Sequence, residues 1–260
     1  AVICFCVFLA AIGLVLGDPS TVLPGLWKII VTEDALITDY VQLAGPSAAG
    51  QLPPLTRRFQ ELGAQRVLID GAAGRKSLSG AGVEGVALLC TGASLDRDME
   101  LVVAETAHTC WLFARKRPES AALCAALDGQ EARFALFTPE GEPVELPLEE
   151  SGAPKWNKLP RRPLVLWAAG GIMDPLLKTL ARRGAPTTLV AADATHVLAG
   201  RAALDLFLRN GGELRVRREL TIAAVGANPW SAYGWHFEPD KFVRALREVI
   251  DLPVVNVKED

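Results

Sequence analysis

Apolar residues fall into short runs separated by glycine-led turns, and their spacing changes along the chain. Residues 1–16 are apolar throughout except for Gly13. That run is shorter than the roughly 20 residues a membrane span needs, and no basic residue precedes it as in a signal peptide. It reads as a core strand whose upstream part is missing. β-type runs at 26–32 and 38–43 follow in a proline-punctuated stretch. Over 54–62, Leu55, Phe59 and Leu62 recur at helical spacing, and Gly63 supplies the stop. Residues 66–70 predict a buried strand closed by the turn Asp70-Gly71-Ala72-Ala73-Gly74-Arg75. Residues 86–91 predict another, running into Gly92-Ala93-Ser94. Met99, Val102, Val103, Thr106, Cys110 and Phe113 then form the apolar stripe of a helix over 96–115, with Asp96 or Asp98 placed to cap it. Strand, glycine turn and helix in alternation are the signature of parallel βαβ units.

Six prolines between 138 and 163 mark a linker or an excursion. Beyond them the pattern predicts strands at 164–168, 187–191, 213–217, 220–225 and 254–257, and helices at 174–183, 201–209 and 239–250. The expected fold class is therefore α/β. A three-layer, parallel-sheet N-terminal domain would cover 1–137, with a linker over 138–163 and a second, smaller α/β domain over 164–260.

Composition narrows the function classes. Half of the residues are hydrophobic, 22% are charged and the net charge is −3. No Lys and Arg cluster marks a helix face or a tail, so neither nucleic acid nor a membrane surface is expected as a partner. The five cysteines are odd in number and no two have the Cys-x-x-Cys spacing of zinc or redox sites, so they read as buried thiols in a cytoplasmic protein.

In parallel sheets, ligands gather where strand carboxyl ends meet helix N-termini. At the first such place, Asp70 closes a hydrophobic strand, as an acid does that holds a metal ion beside a phosphate. Gly71 and Gly74 allow backbone amides to approach an anion, and Arg75, Lys76 and Ser77 add donors. Equally, Asp70 caps the turn and the basic pair is a solvated edge. At the second, Thr91, Gly92 and Ser94 either face the same ligand or simply start the next helix. The third, Gly170-Gly171 before Asp174-Pro175, lacks the glycine spacing of a dinucleotide fold and the lysine of a phosphate-binding loop. Asp174 there reads as an N-cap. The fourth, 227–237, crowds Trp230, Tyr233, Trp235 and His236 into a loop with Asn228, Pro229, Ser231 and Gly234, and suits contact with a partner or another domain. His108, His196 and His236 have no second ligand at metal spacing.

Residues 43–47, 67–77 and 90–94 (Leu-Ala-Gly-Pro-Ser, Val-Leu-Ile-Asp-Gly-Ala-Ala-Gly-Arg-Lys-Ser and Cys-Thr-Gly-Ala-Ser) resemble the KamB-type subunit of the lysine 5,6-aminomutase reactivase. So does the closing stretch: Ala-Asn-Pro-Trp-Ser at 227–231, then Tyr233-Gly234 and Phe237, ahead of the helix with Lys241 and Phe242. The similarity extends over most of 40–257. It implies an accessory subunit that works with a MutS-like ATPase in an oligomeric complex. Together they would reactivate, at the expense of ATP, an adenosylcobalamin- and pyridoxal-phosphate-dependent aminomutase of lysine or ornithine catabolism. The aromatic loop is then the candidate docking surface. More loosely, the N-terminal half resembles the dethiobiotin synthetase-like class of P-loop proteins, which implies a P-loop-like domain with Asp70, Gly71, Gly74, Arg75, Lys76, Ser77, Thr91 and Gly92 around a nucleotide and Asp70 toward Mg2+. Residues 1–20 contain no Gly-Lys-Thr or Gly-Lys-Ser element, so ATP and Mg2+ are expected only in a full-length protein that carries one. An ATP-dependent ligase or kinase of that class and a small-ligand-binding α/β protein without catalysis are the alternative readings.

Overall fold

The computed structural model describes residues 8–10, 40–42, 52–61, 63–64 and 86–257. In chain order, β1 (Phe8–Ala10) pairs antiparallel with β2 (Tyr40–Gln42). α1 (Leu52–Glu61) carries its two prolines in the first turn, where a missing amide costs nothing. It ends at Gly63 (φ +96°), as the spacing predicts, with the Gly63 amide donating to Gln60 O and Ala64 to Phe59 O. β3 (Val86–Gly92) leads to α2 (Met99–Phe113), whose first turn is capped by Asp98: its carboxylate accepts from the Glu100 and Leu101 amides. α3 (Ala121–Asp128) follows, capped by Ser120.

β4 (Phe134–Phe137) and β5 (Pro143–Val144) form a hairpin through a turn in which Gly141 takes φ +95°. β6 (Leu164–Ala168), α4 (Asp174–Ala181), β7 (Thr187–Ala191), α5 (Arg201–Arg209) and β8 (Gly212–Val216) are two successive crossover units. β9 (Thr221–Asn228), α6 (Pro239–Val249) and β10 (Val254–Asn256) complete the described chain. No helix among the described residues is long and apolar enough to cross a membrane.

The fold is α/β, as the pattern predicts, but its division differs from the expected one. One compact unit is made of residues up to 107 and from 222 onward; the other is 108–221. In the first, a three-stranded sheet runs β10–β9–β3, with β9 and β10 parallel. In the second, a five-stranded sheet runs β5–β4–β6–β7–β8. β6, β7 and β8 are parallel, but β4 is antiparallel to β6, so this sheet is mixed and not purely parallel. Because β4 and β6 share a sheet, residues 138–163 are an excursion inside one unit and not a linker between two domains. The excursion has structure of its own: Leu148 and Pro154 bridge a small hairpin, and 156–158 make a 3-10 turn.

Burial explains why the central strands are legible. All five residues of β6 are buried, as expected where helices cover both faces of parallel strands. Trp167 packs with Leu123, Leu127, Phe137, Val165 and Val190 in the core of the second unit. In the first unit, α6 buries Phe242, Val243 and Leu246 on one side, and Phe237 packs on Phe242 with ring centroids 5.1 Å apart.

Candidate functional site

In the first unit, the carboxyl ends of β3 and β9 meet, and with them two of the sequence-selected loops. The Ala93 amide donates to Asn228 O at 3.0 Å. A Cβ on Gly92 would stand 2.2 Å from that same carbonyl oxygen, so only glycine permits the approach. The Ala232 amide donates to Ser94 Oγ (3.1 Å), and the Trp235 indole donates to Ala93 O (2.9 Å). The Arg97 guanidinium lies 4.6 Å from the Trp235 ring centroid.

The loop between β9 and α6 is held by its own backbone. Ser231 N donates to Trp235 O, Phe237 N to Pro229 O, and the Trp230 amide to Asn228 Oδ1. Ser231 Oγ accepts from the Tyr233 amide, and Gly234 makes the turn at φ +92°. This scaffold holds two ring stacks: Trp230 on His236 (4.7 Å) and Tyr233 on Trp235 (5.5 Å). Trp230 is 48% exposed and Tyr233 73%. Rigid aromatic side chains on a hydrogen-bonded loop offer contact area at low entropic cost.

Thr91, Gly92, Asn228, Pro229, Trp230, Ser231, Tyr233 and Gly234 are thus brought to one corner. Asp70, Gly71, Gly74, Arg75, Lys76 and Ser77 lie outside the described residues. Thr91 and Gly92, read above as facing a ligand or as starting the next helix, both lie in the interior. Thr91 is buried, its hydroxyl 2.6 Å from that of Thr106. The Thr106 hydroxyl is already committed as donor to Val102 O, so Thr91 is the donor between the two. Gly92 is closed off by Asn228. Gly92→Ala is expected to push the Asn228 carbonyl away and lose the Ala93 bond, at about 1–3 kcal/mol of stability. Denaturant unfolding together with the tryptophan emission spectrum checks this; an unchanged midpoint and spectrum would show that the two backbones are not in contact.

In the second unit the structure adds residues that sequence reasoning set aside. Asp193 follows β7 and is completely buried. Its Oδ1 accepts from the Thr195 amide (2.9 Å), the Thr195 hydroxyl (2.6 Å) and His196 Nδ1 (3.0 Å); its Oδ2 accepts from Arg218 (2.5 Å). Burial alone would push this carboxyl up. The bonds from His196 and Thr195, the His196 charge and the Arg218 bond outweigh it and hold the carboxyl far below its ordinary range. The local signal was Asp193-Ala-Thr195-His196, an acid two and three residues ahead of its donors; Arg218 is too distant in sequence to be read with it.

A cleft of about 540 Å³ nearby is lined by Arg117, Arg217 and Arg218 with Asp128 and Glu219. Its charges are spent within the unit. Arg117 pairs with Asp128, Glu219 pairs with Lys116, and Arg217 donates to Leu127 O and Gln130 O. Asp174 is likewise structural and not the N-cap of its own helix, which is Met173. Its carboxylate accepts from the Gly200 amide at the start of α5, then from Lys178, and these lower its pKa. Cys110 is a buried thiol whose pKa desolvation raises to about 11, in keeping with a small hydrophobe. Among the described residues no three His, Cys, Asp or Glu side chains are grouped to hold a metal.

No family model, curated protein or solved structure matches this chain.

Proposed function

We propose that this chain is the accessory subunit of an ATP-dependent reactivating factor for an adenosylcobalamin- and pyridoxal-phosphate-dependent aminomutase acting on lysine or ornithine. It works in the cytoplasm beside a MutS-like ATPase, with the aromatic loop as its docking surface. One observation carries the reading: the two separated stretches that resemble the reactivase subunit, 90–94 and 227–237, meet through the Ala93–Asn228, Ser94–Ala232 and Ala93–Trp235 bonds. Residues 135 to 142 positions apart converge on one presented corner. Its chemistry also favours docking over catalysis: stacked, half-exposed rings on a fixed backbone suit a protein partner, while the Thr91 and Gly92 groups face inward. No nucleotide step is assigned to the described residues.

The test is co-purification of the full-length protein with the MutS-like ATPase, followed by recovery of an inactivated aminomutase supplied with ATP and fresh adenosylcobalamin. A stable complex and regained activity are expected. Trp230→Ala and Tyr233→Ala, both at exposed positions, should each weaken the complex about ten-fold or more, as central aromatic anchors do. No complex and no recovery would end the proposal.

A further inference from the structure

The second unit holds a further cleft, at one edge of its five-stranded sheet. β4 runs antiparallel to β6 with Phe134 opposite Ala168, so the start of β4 and the end of β6 share one sheet edge. From that edge the chain leaves β6 through Gly170 and Gly171 into α4 and on to β7, which lies on the other side of β6. The Ala169 amide donates to Arg133 O (2.9 Å), so the segment entering β4 and the turn leaving β6 lie side by side at the carboxyl end of β6.

The cleft there measures about 970 Å³, toward the upper end of the usual range for small-molecule sites. Phe134 and Trp156, edge to face at 5.0 Å, line it with Leu148, Met173 and Leu176. Leu148 and Met173 are half exposed, 50% and 52%, so the apolar wall is open to an occupant. The hairpin around Leu148 and Pro154 supplies the outer wall, and it is fixed by the bonds Glu149 N to Ala153 O and Lys155 N to Pro147 O.

A single charge lines this wall. The Arg133 guanidinium lies 5.4 Å from the Phe134 ring centroid and, among the described residues, makes no ion pair; no acidic side chain lines the cleft. An arginine without a carboxylate partner at the rim of an apolar cleft favours an anion over a cation, which it would repel. One positive charge beside a wide apolar surface suits a monoanion with a hydrocarbon body and not a multiply charged phosphate. We propose that this cleft binds a small monocarboxylic acid, its carboxylate on Arg133 and its apolar body against Phe134, Trp156, Leu148 and Met173. This site is independent of the docking surface in the other unit.

Octanoate is the probe, titrated into the full chain by calorimetry, with octylammonium as the charge-reversed control. One saturable octanoate site per chain is expected, and no comparable binding of octylammonium. Arg133→Gln, at an exposed position, should weaken octanoate about ten-fold or more with an unchanged unfolding midpoint. Ser151→Trp, at the exposed tip of the hairpin, should fill the mouth and abolish binding. Non-saturating octanoate, equal affinity for octylammonium, or an Arg133→Gln variant that binds as the parent does would each overturn the proposal.

Discussion

Asp193→Ala is expected to destabilise the protein by about 2–4 kcal/mol at neutral pH. Removing one partner of a buried charge cluster costs about 3–5 kcal/mol when the others stay buried and uncompensated. Here the figure is lower, because the Arg218 and His196 side chains are 43% and 34% exposed and can turn to water. The Thr195 amide and hydroxyl lose their acceptor and have less room to recover. Asp193→Asn should lose less, since its oxygen still accepts from Thr195 while its amide meets the Arg218 donor. Urea unfolding of the two variants beside the parent checks the order. A parent-like Asp193→Ala would mean that the cluster contributes nothing to stability.

The same loss has a defined pH dependence. The folded-state pKa of Asp193 is depressed below the ordinary 3.8. Its ionised form therefore stabilises the fold at all pH values above that ordinary value. The contribution falls away as pH drops below about 4 and toward the depressed folded value. The stability gap between parent and Asp193→Ala is thus expected to narrow as pH falls below about 4. A gap that widened on acidification below about pH 4 would contradict the assignment.

How far the fold was legible depended on how local its causes are. β6, β7 and α5 fall where the pattern predicts them, because each is bounded by glycine, proline or charge and filled by a run of one character. α3 was missed: Ala121–Asp128 is alanine-rich with only Leu123 and Leu127 buried, too weak a stripe to register beside Pro118 and the charges just before it. β4 was missed because four residues carry no period, and with it went the mixed sheet. That omission also turned 138–163 into a domain linker, since nothing local reveals that Phe134–Phe137 pairs with Leu164–Ala168 thirty residues on.

The candidate site was legible in part for the same reason. Gly92 and the aromatic cluster of 228–235 stand out in one dimension, and the structure joins them. That the Thr91 hydroxyl turns inward to Thr106 depends on the packing of α2, which no motif encodes. Of the two meanings that the prolines of 138–163 allowed, the excursion is the one the fold uses, and Pro154 in its hairpin lines a cleft.

Trp167→Ala is expected to be the most destabilising single change in the second unit, at about 3–5 kcal/mol. Trp167 is fully buried on β6 and touches three kinds of partner at once. Its ring packs in the cluster with Leu123, Leu127, Phe137, Val165 and Val190, joining α3 to the middle of the sheet. Its indole donates to Ala132 O at 2.9 Å, fixing the segment that leads into β4. The Arg217 guanidinium stacks 4.5 Å from its centroid. Trp167→Phe keeps most of the apolar area but orphans the Ala132 carbonyl and leaves a smaller void, so about 1–3 kcal/mol is expected. Because Ala132 adjoins Arg133, the phenylalanine variant should also loosen the edge of the octanoate cleft and weaken octanoate while the fold persists. Denaturant unfolding of both variants, with octanoate titration of Trp167→Phe, measures the two effects separately. If Trp167→Phe unfolds as the parent does and binds octanoate unchanged, the indole bond holds neither β4 nor the cleft.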